Sequence, residues 1–70
     1  MAKPTFNDAC EAVARSLRDF GYPDASAQMV SDTYDAIRDG KDVPHGIVGA
    51  FAAEQIKGER ALFDMLSANA

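Results

Sequence analysis

An all-α fold, a small domain of three helices, is what this sequence predicts, and three observations predict it. Apolar side chains recur at helical spacing along most of the chain, helix-starting residues precede the apolar stretches, and glycine or proline interrupts the pattern between them. The helices are expected over about residues 5–20, 24–39 and 43–67 of one domain covering residues 1–70.

The first helix begins at a capping box. In Thr5-Phe6-Asn7-Asp8 the threonine is placed to accept from a first-turn amide while the acid three residues on reaches back. Phe6, Cys10, Val13, Leu17 and Phe20 then recur at spacings of 4, 3, 4 and 3, one continuous apolar stripe. On the polar side Glu11 precedes Arg15 by four residues, the orientation that supports a helix, and Gly21 is a natural C-cap. Pro23 lacks an amide donor and pushes Tyr22 toward extended geometry, so the chain turns there.

Asp24 or Ser26 caps the second helix, whose apolar side is Met29, Val30, Tyr34 and Ile37 with Thr33 and Ala36 as smaller neighbours, and Gly40 stops it. Asp42 is the expected N-cap of the third, with Val43 its first helical residue and Pro44 in the first turn, where a missing N–H costs nothing. Ile47, Val48, Phe51, Ala52 and Ile56 form its wide apolar face. Leu62, Phe63, Met65 and Leu66 fall on the same half of the helical wheel. One helix bent at Gly58 is therefore favoured over two that end and restart there.

Composition narrows the functions. Of the 33 hydrophobic residues 13 are alanine, leaving 20 larger ones, Met1 included. So thin a core needs very regular packing or self-association. The one cysteine allows no internal disulfide, and a metal site would have to combine Cys10, His45 and carboxylates. No cofactor is expected. No stretch approaches the roughly 20 apolar residues that span a bilayer, and "MAKPTFNDAC" lacks the apolar core of a signal peptide, so a cytoplasmic location is expected. Eleven acids against seven bases give a charge of −4, which opposes non-specific phosphate binding.

Chemistry-bearing residues are few. His45, at the start of the third helix, would need a nucleophile or held water and an orienting group to act as a general base, and nothing in the sequence identifies them. It reads as a residue that caps or packs the turn. Gly46 and Gly49 each weaken a helix by about 0.8–1 kcal/mol relative to alanine, which calls for a compensating close approach of another helix backbone, from this chain or a partner. An anion site there lacks the lysine and spacing of a phosphate loop. Cys10 reads as a core hydrophobe, and Asp32, Asp35 and Asp39 as a solvated face with Asp35 near Arg38. No catalytic role is expected for any residue.

Two readings of function follow. The first is a non-enzymatic module that binds a protein partner or self-associates through the apolar side of the third helix, with Ile47, Val48, Phe51, Phe63 and Leu66 supplying contact area and His45, Gly46 and Gly49 shaping the helix start. The second is a helix-turn-helix regulator. Its reading helix, "PHGIVGAFAAEQIKGER", offers little base-reading chemistry near its start, so nucleic acid ranks below protein as a partner.

Between Tyr34 and Ile56, "YDAIRDGKDVPHGIVGAFAAEQI" resembles a pattern of short uncharacterised proteins of actinobacteria and their phages: a glycine-containing turn, then Pro-His-Gly, two aliphatics, Gly and Phe-Ala. The resemblance covers about a third of the chain. It carries over no activity and implies a phage-encoded accessory protein that acts by binding a host or viral protein.

Overall fold

The structure, a computed structural model, describes residues 3–69. The remaining residues of the expected domain, Met1, Ala2 and Ala70, lie outside this range. The described residues form four helices and no strand: α1 (Phe6–Phe20), α2 (Ala27–Asp39), α3 (Gly46–Gly58) and α4 (Arg60–Ala68).

The first two helices follow their local signals. Asp8 N–H donates to Thr5 Oγ1 at 3.1 Å and Thr5 N–H to Asp8 Oδ2 at 2.9 Å, closing the capping box. Ser26, not Asp24, caps α2 by accepting from Met29 N–H at 3.3 Å, so this helix starts later than expected. Both helices end alike. Gly21 (φ +125°) and Gly40 (φ +69°) turn the chain with positive φ. The next residues, Tyr22 and Lys41, donate back to Leu17 and Ala36 carbonyls at 3.0 and 2.8 Å, which satisfies groups a helix end would leave open. Glu11 pairs with Arg18 rather than Arg15. Arg18 also donates to the Ala25 carbonyl at 2.8 Å, tying α1 to the turn before α2.

The third helix departs from expectation. Asp42 does not cap it and Val43 is not helical; His45 is the N-cap residue and Gly46 the first helical one. Both have positive φ, +68° and +58°, so the chain reverses at the His-Gly pair and folds Pro44 back over the first turn of α3. Gly49 sits under that fold. A Cβ there would overlap the Pro44 carbonyl oxygen, so the close approach that Gly49 permits is to its own lead-in loop and not to another helix.

The expected single helix over 43–67 is two helices. Glu59, with φ −119° and ψ 28°, leaves helical geometry and separates α3 from α4, while Gly58 remains helical. Straight from Gly46 to Ala68, the segment would run roughly 33 Å, longer than the molecule's greatest extent of 31 Å. The bend turns α4 inward. Phe63 is then 1% exposed, with its ring centroid 6.0 Å from that of Phe6 and 5.9 Å from that of Tyr34. The Tyr34 hydroxyl donates to Asp64 Oδ1 at 2.7 Å, linking α2 to α4.

The core gathers Cys10, Val13, Ala14 and Leu17 of α1, Val30 and Tyr34 of α2, Ala52 and Ile56 of α3 and Phe63 of α4. Thr33 is fully buried and donates its hydroxyl to the Met29 carbonyl at 2.8 Å, which removes the cost of an unpaired polar group. Every fully buried side-chain nitrogen or oxygen among the described residues is similarly satisfied.

Candidate functional site

In α3 the usual assignment of large residues to the inside is reversed. Gly49, Ala52 and Ala53 are buried with Ile56, whereas Ile47 is 69% and Phe51 41% exposed. Ala52 and Ala53 pack beside Ile56 on the inner side of α3, while Ile47 and Phe51 are left on the outer surface. Because α3 is apolar on nearly every side, its sequence does not reveal which side faces in.

Phe51 does not stand alone. At the C-terminal end of α1, Phe20 is 71% exposed, and its ring centroid is 5.7 Å from that of Phe51 and 6.2 Å from that of Tyr22. Tyr22 and Phe51 are also 5.7 Å apart, so three rings from α1, the following turn and α3 form a cluster in which Phe20 and Phe51 are exposed and Tyr22 is half-buried against the core. Beneath it lies a depression of about 440 Å³ between Ser16, Leu17, Asp19 and Phe20 on one wall and Phe51 and Gln55 on the other.

A second depression, of about 240 Å³, adjoins it through Gln55 and continues between Ala9, Ala12 and Val13 of α1 and Glu59, Leu62 and Phe63. Together they make one groove along α1. The α1 positions 9, 12, 13, 16 and 20 share one helix face, and from Ala9 to Phe20 that face runs roughly 16 Å. Its walls are mainly apolar. Ser16 and Gln55 offer neutral hydrogen-bonding groups midway, Asp19 and Glu59 stand near opposite ends, and no lining residue is basic. Neither acid pairs with a cation among the described residues.

The eight residues singled out from the sequence separate into distinct places. Phe51 lines the larger depression and Phe63 the floor of the smaller. Phe63 and Leu66, at 1% and 8% exposure, belong to the interior, so their assignment to a free contact face is corrected: the bend at Glu59 turns them inward. Val48 is half-buried against the core, Gly49 is buried, and Gly46 and Ile47 are exposed at the start of α3. His45 Nε2 donates to Asp32 Oδ2 at 3.1 Å, joining the start of α3 to α2 and leaving the ring outside the groove. Gln28 donates to the same carboxylate at 2.9 Å, and these two bonds hold the Asp32 carboxyl below its ordinary range.

Other potentially reactive groups have structural partners. Burial, with Asp35 nearby, pushes the Cys10 thiol up to about 11, so it stays protonated and inert at neutral pH. Burial and the bond to Asp64 raise Tyr34, while Tyr34 and Arg60 together lower Asp64. No group of three or more His, Cys, Asp or Glu side chains among the described residues could hold a metal ion. No helix among them is long and apolar enough to cross a membrane.

Phe20, Ser16, Asp19, Gln55 and Leu62 were not singled out as contact residues by sequence. Phe20 is the last member of the α1 stripe, and the spacing alone assigns it to the core with the others. An available signal was the excess of large apolar residues around α3, which two short neighbours cannot cover completely. No protein-family model, no curated protein and no solved structure matches the chain.

Proposed function

We propose that this protein is a non-enzymatic protein-interaction module that seats an amphipathic helix of a partner protein in the groove between α1 and the α3–α4 pair. The observation that carries the reading is the pair of exposed rings Phe20 of α1 and Phe51 of α3, with half-buried Tyr22 between the helices, at one end of an apolar groove. Aromatic anchors beside a depression are the usual centre of helix-in-groove recognition. A groove of roughly 16 Å accepts about three helical turns.

The charges specify the partner further. Asp19 and Glu59 favour an apolar ridge flanked by lysine or arginine. A second copy presenting this same groove would bring acids toward acids with no lining base to neutralise them. The resemblance between Tyr34 and Ile56 supports a reading in which the module is a phage-encoded accessory factor that binds a host or viral protein.

The test is a fluorescence-anisotropy titration with two synthetic helical peptides of about 14 residues, each with leucines at helical spacing and flanked by lysine in one and glutamate in the other. The lysine peptide is expected to bind at least about tenfold more tightly. Asp19→Lys/Glu59→Lys should reverse the preference, and Phe51→Asp should abolish binding of either peptide. Absence of binding by both peptides, or binding unaffected by Phe51→Asp, overturns the reading.

A further inference from the structure

We infer that α4 is an exchangeable helix, and that straightening the α3–α4 junction lets it occupy the corresponding seat of a second copy of this chain. This inference does not depend on the groove being a docking site. The first observation is the register. Buried residues Gly49, Ala52, Ala53 and Ile56 of α3 and Phe63 and Leu66 of α4 lie at intervals of 3, 1, 3, 7 and 3, which on one uninterrupted helix gather within an arc of about 140°. The apolar face runs through the break without a shift. Bending changes where that face points and not which residues belong to it.

The junction supplies the second observation. Glu59 alone departs from helical geometry, its side chain does not cap α4, and both Gly58 and Glu59 are exposed. A Cβ at Gly58 would meet nothing within 4 Å, so a larger residue fits there without displacing a neighbour. Extending α3 through Glu59 would give the uncapped first-turn amides of α4 the carbonyls of α3 as acceptors.

The third is the seat. Phe63 is held by Phe6 and Tyr34, and Asp64 accepts from the Tyr34 hydroxyl, all contacts between α4 and residues far from the junction. An identical seat on a second copy restores each of them. The closed monomer and the exchanged dimer then differ chiefly in the helical state of the junction and in the entropy of association, which makes the balance sensitive to concentration and to junction residues. Each exchanged dimer would carry two grooves, with α1 and α3 from one copy and Leu62 and Phe63 from the other.

The experiment compares the unmodified protein with Gly58→Ala/Glu59→Ala, which favours helix at the junction. Light scattering after size exclusion should show the variant dimerising at least about tenfold more tightly. In a mixture of isotope-labelled and unlabelled variant, filtered NMR should place the Phe63–Tyr34 ring contact between copies. The further substitution Phe51→Asp should leave this dimer intact, which separates it from association through the groove. A monomer at all concentrations, a dimer with the ring contact still within one copy, or a dimer lost with Phe51→Asp overturns the inference. Should the double variant fail to fold, the unmodified protein refolded at high concentration decides: a slowly dissociating dimer with the intercopy ring contact supports exchange, and its absence rejects it.

Discussion

Two trios of aromatic rings, nearly matched in spacing, have opposite places in this small protein. Phe6, Tyr34 and Phe63 have centroids 5.2–6.0 Å apart, and Phe20, Tyr22 and Phe51 5.7–6.2 Å. The first trio has Tyr34 and Phe63 buried, Phe6 half-buried and the Tyr34 hydroxyl engaged with Asp64; the second has Tyr22 half-buried and Phe20 and Phe51 exposed. Ring chemistry is therefore not what distinguishes a core from a contact surface here. The bend at Glu59 does, because it seats Phe63 of α4 in one trio and leaves the other with two exposed rings.

The sharpest way to break the comparison is to truncate one ring from each trio. Phe63→Ala should destabilise the fold by about 3–5 kcal/mol, since it opens a cavity among buried side chains. Denaturant unfolding checks it, and a loss under about 1 kcal/mol would show that α4 contributes little to the core. Tyr34→Phe keeps the inner ring and removes only its bond to Asp64, so a fall of a few degrees in melting temperature is expected by calorimetry. Phe51→Ala should cost less, about 1 kcal/mol, because its ring is 41% exposed and gives up contacts chiefly with the rings of Phe20 and Tyr22. A loss comparable to that of Phe63→Ala would place the outer trio in the core.

How much of this was readable beforehand depended on the range of the interaction. The Thr5–Asp8 box, Ser26 as one of two candidate caps and the Gly40 stop are contacts over a few residues, and the residues themselves specify them. The bend at Glu59 is not local. Its neighbours satisfy a continuous helix equally well, and it is distant contacts, the seating of Phe63 against Phe6 and Tyr34 and the Tyr34–Asp64 bond, that favour turning back. The candidate site shows the same division. Phe51 was identified from the apolar face of α3, but Phe20 looked like one more core residue because spacing shows a shared face and not where its cover ends. Gly49 was recognised as a close approach, whereas its partner, the Pro44 carbonyl, required knowledge of the left-handed turn at His45.

Two smaller effects of pH refine the contrast. Asp64 has its folded-state pKa below its ordinary 3.8, owing to Tyr34 and then Arg60. Its contribution is present above that value and is lost as pH falls through the folded value. Melting temperatures should therefore decline in the acid range, and Asp64→Asn should make the decline shallower. Cys10 acts at the other end of the scale. The unfolded thiol ionises near its ordinary 9.0 while the folded one holds its proton to about 11, so stability should fall as pH rises across that interval. Cys10→Ala should flatten that slope in the same measurement.

That sulfur has a use beyond titration. It is the chain's one cysteine, it is 1% exposed, and it lies among Val13, Ala14, Leu17 and other core residues. A colourless disulfide reagent that releases a coloured thiolate must wait for the interior to open before it can react. At low reagent concentration the progress of colour then reports the fraction of time that opening occurs, and at high concentration its rate. The molecule thus contains a one-per-chain clock for its own breathing, readable in a cuvette without label or substitution.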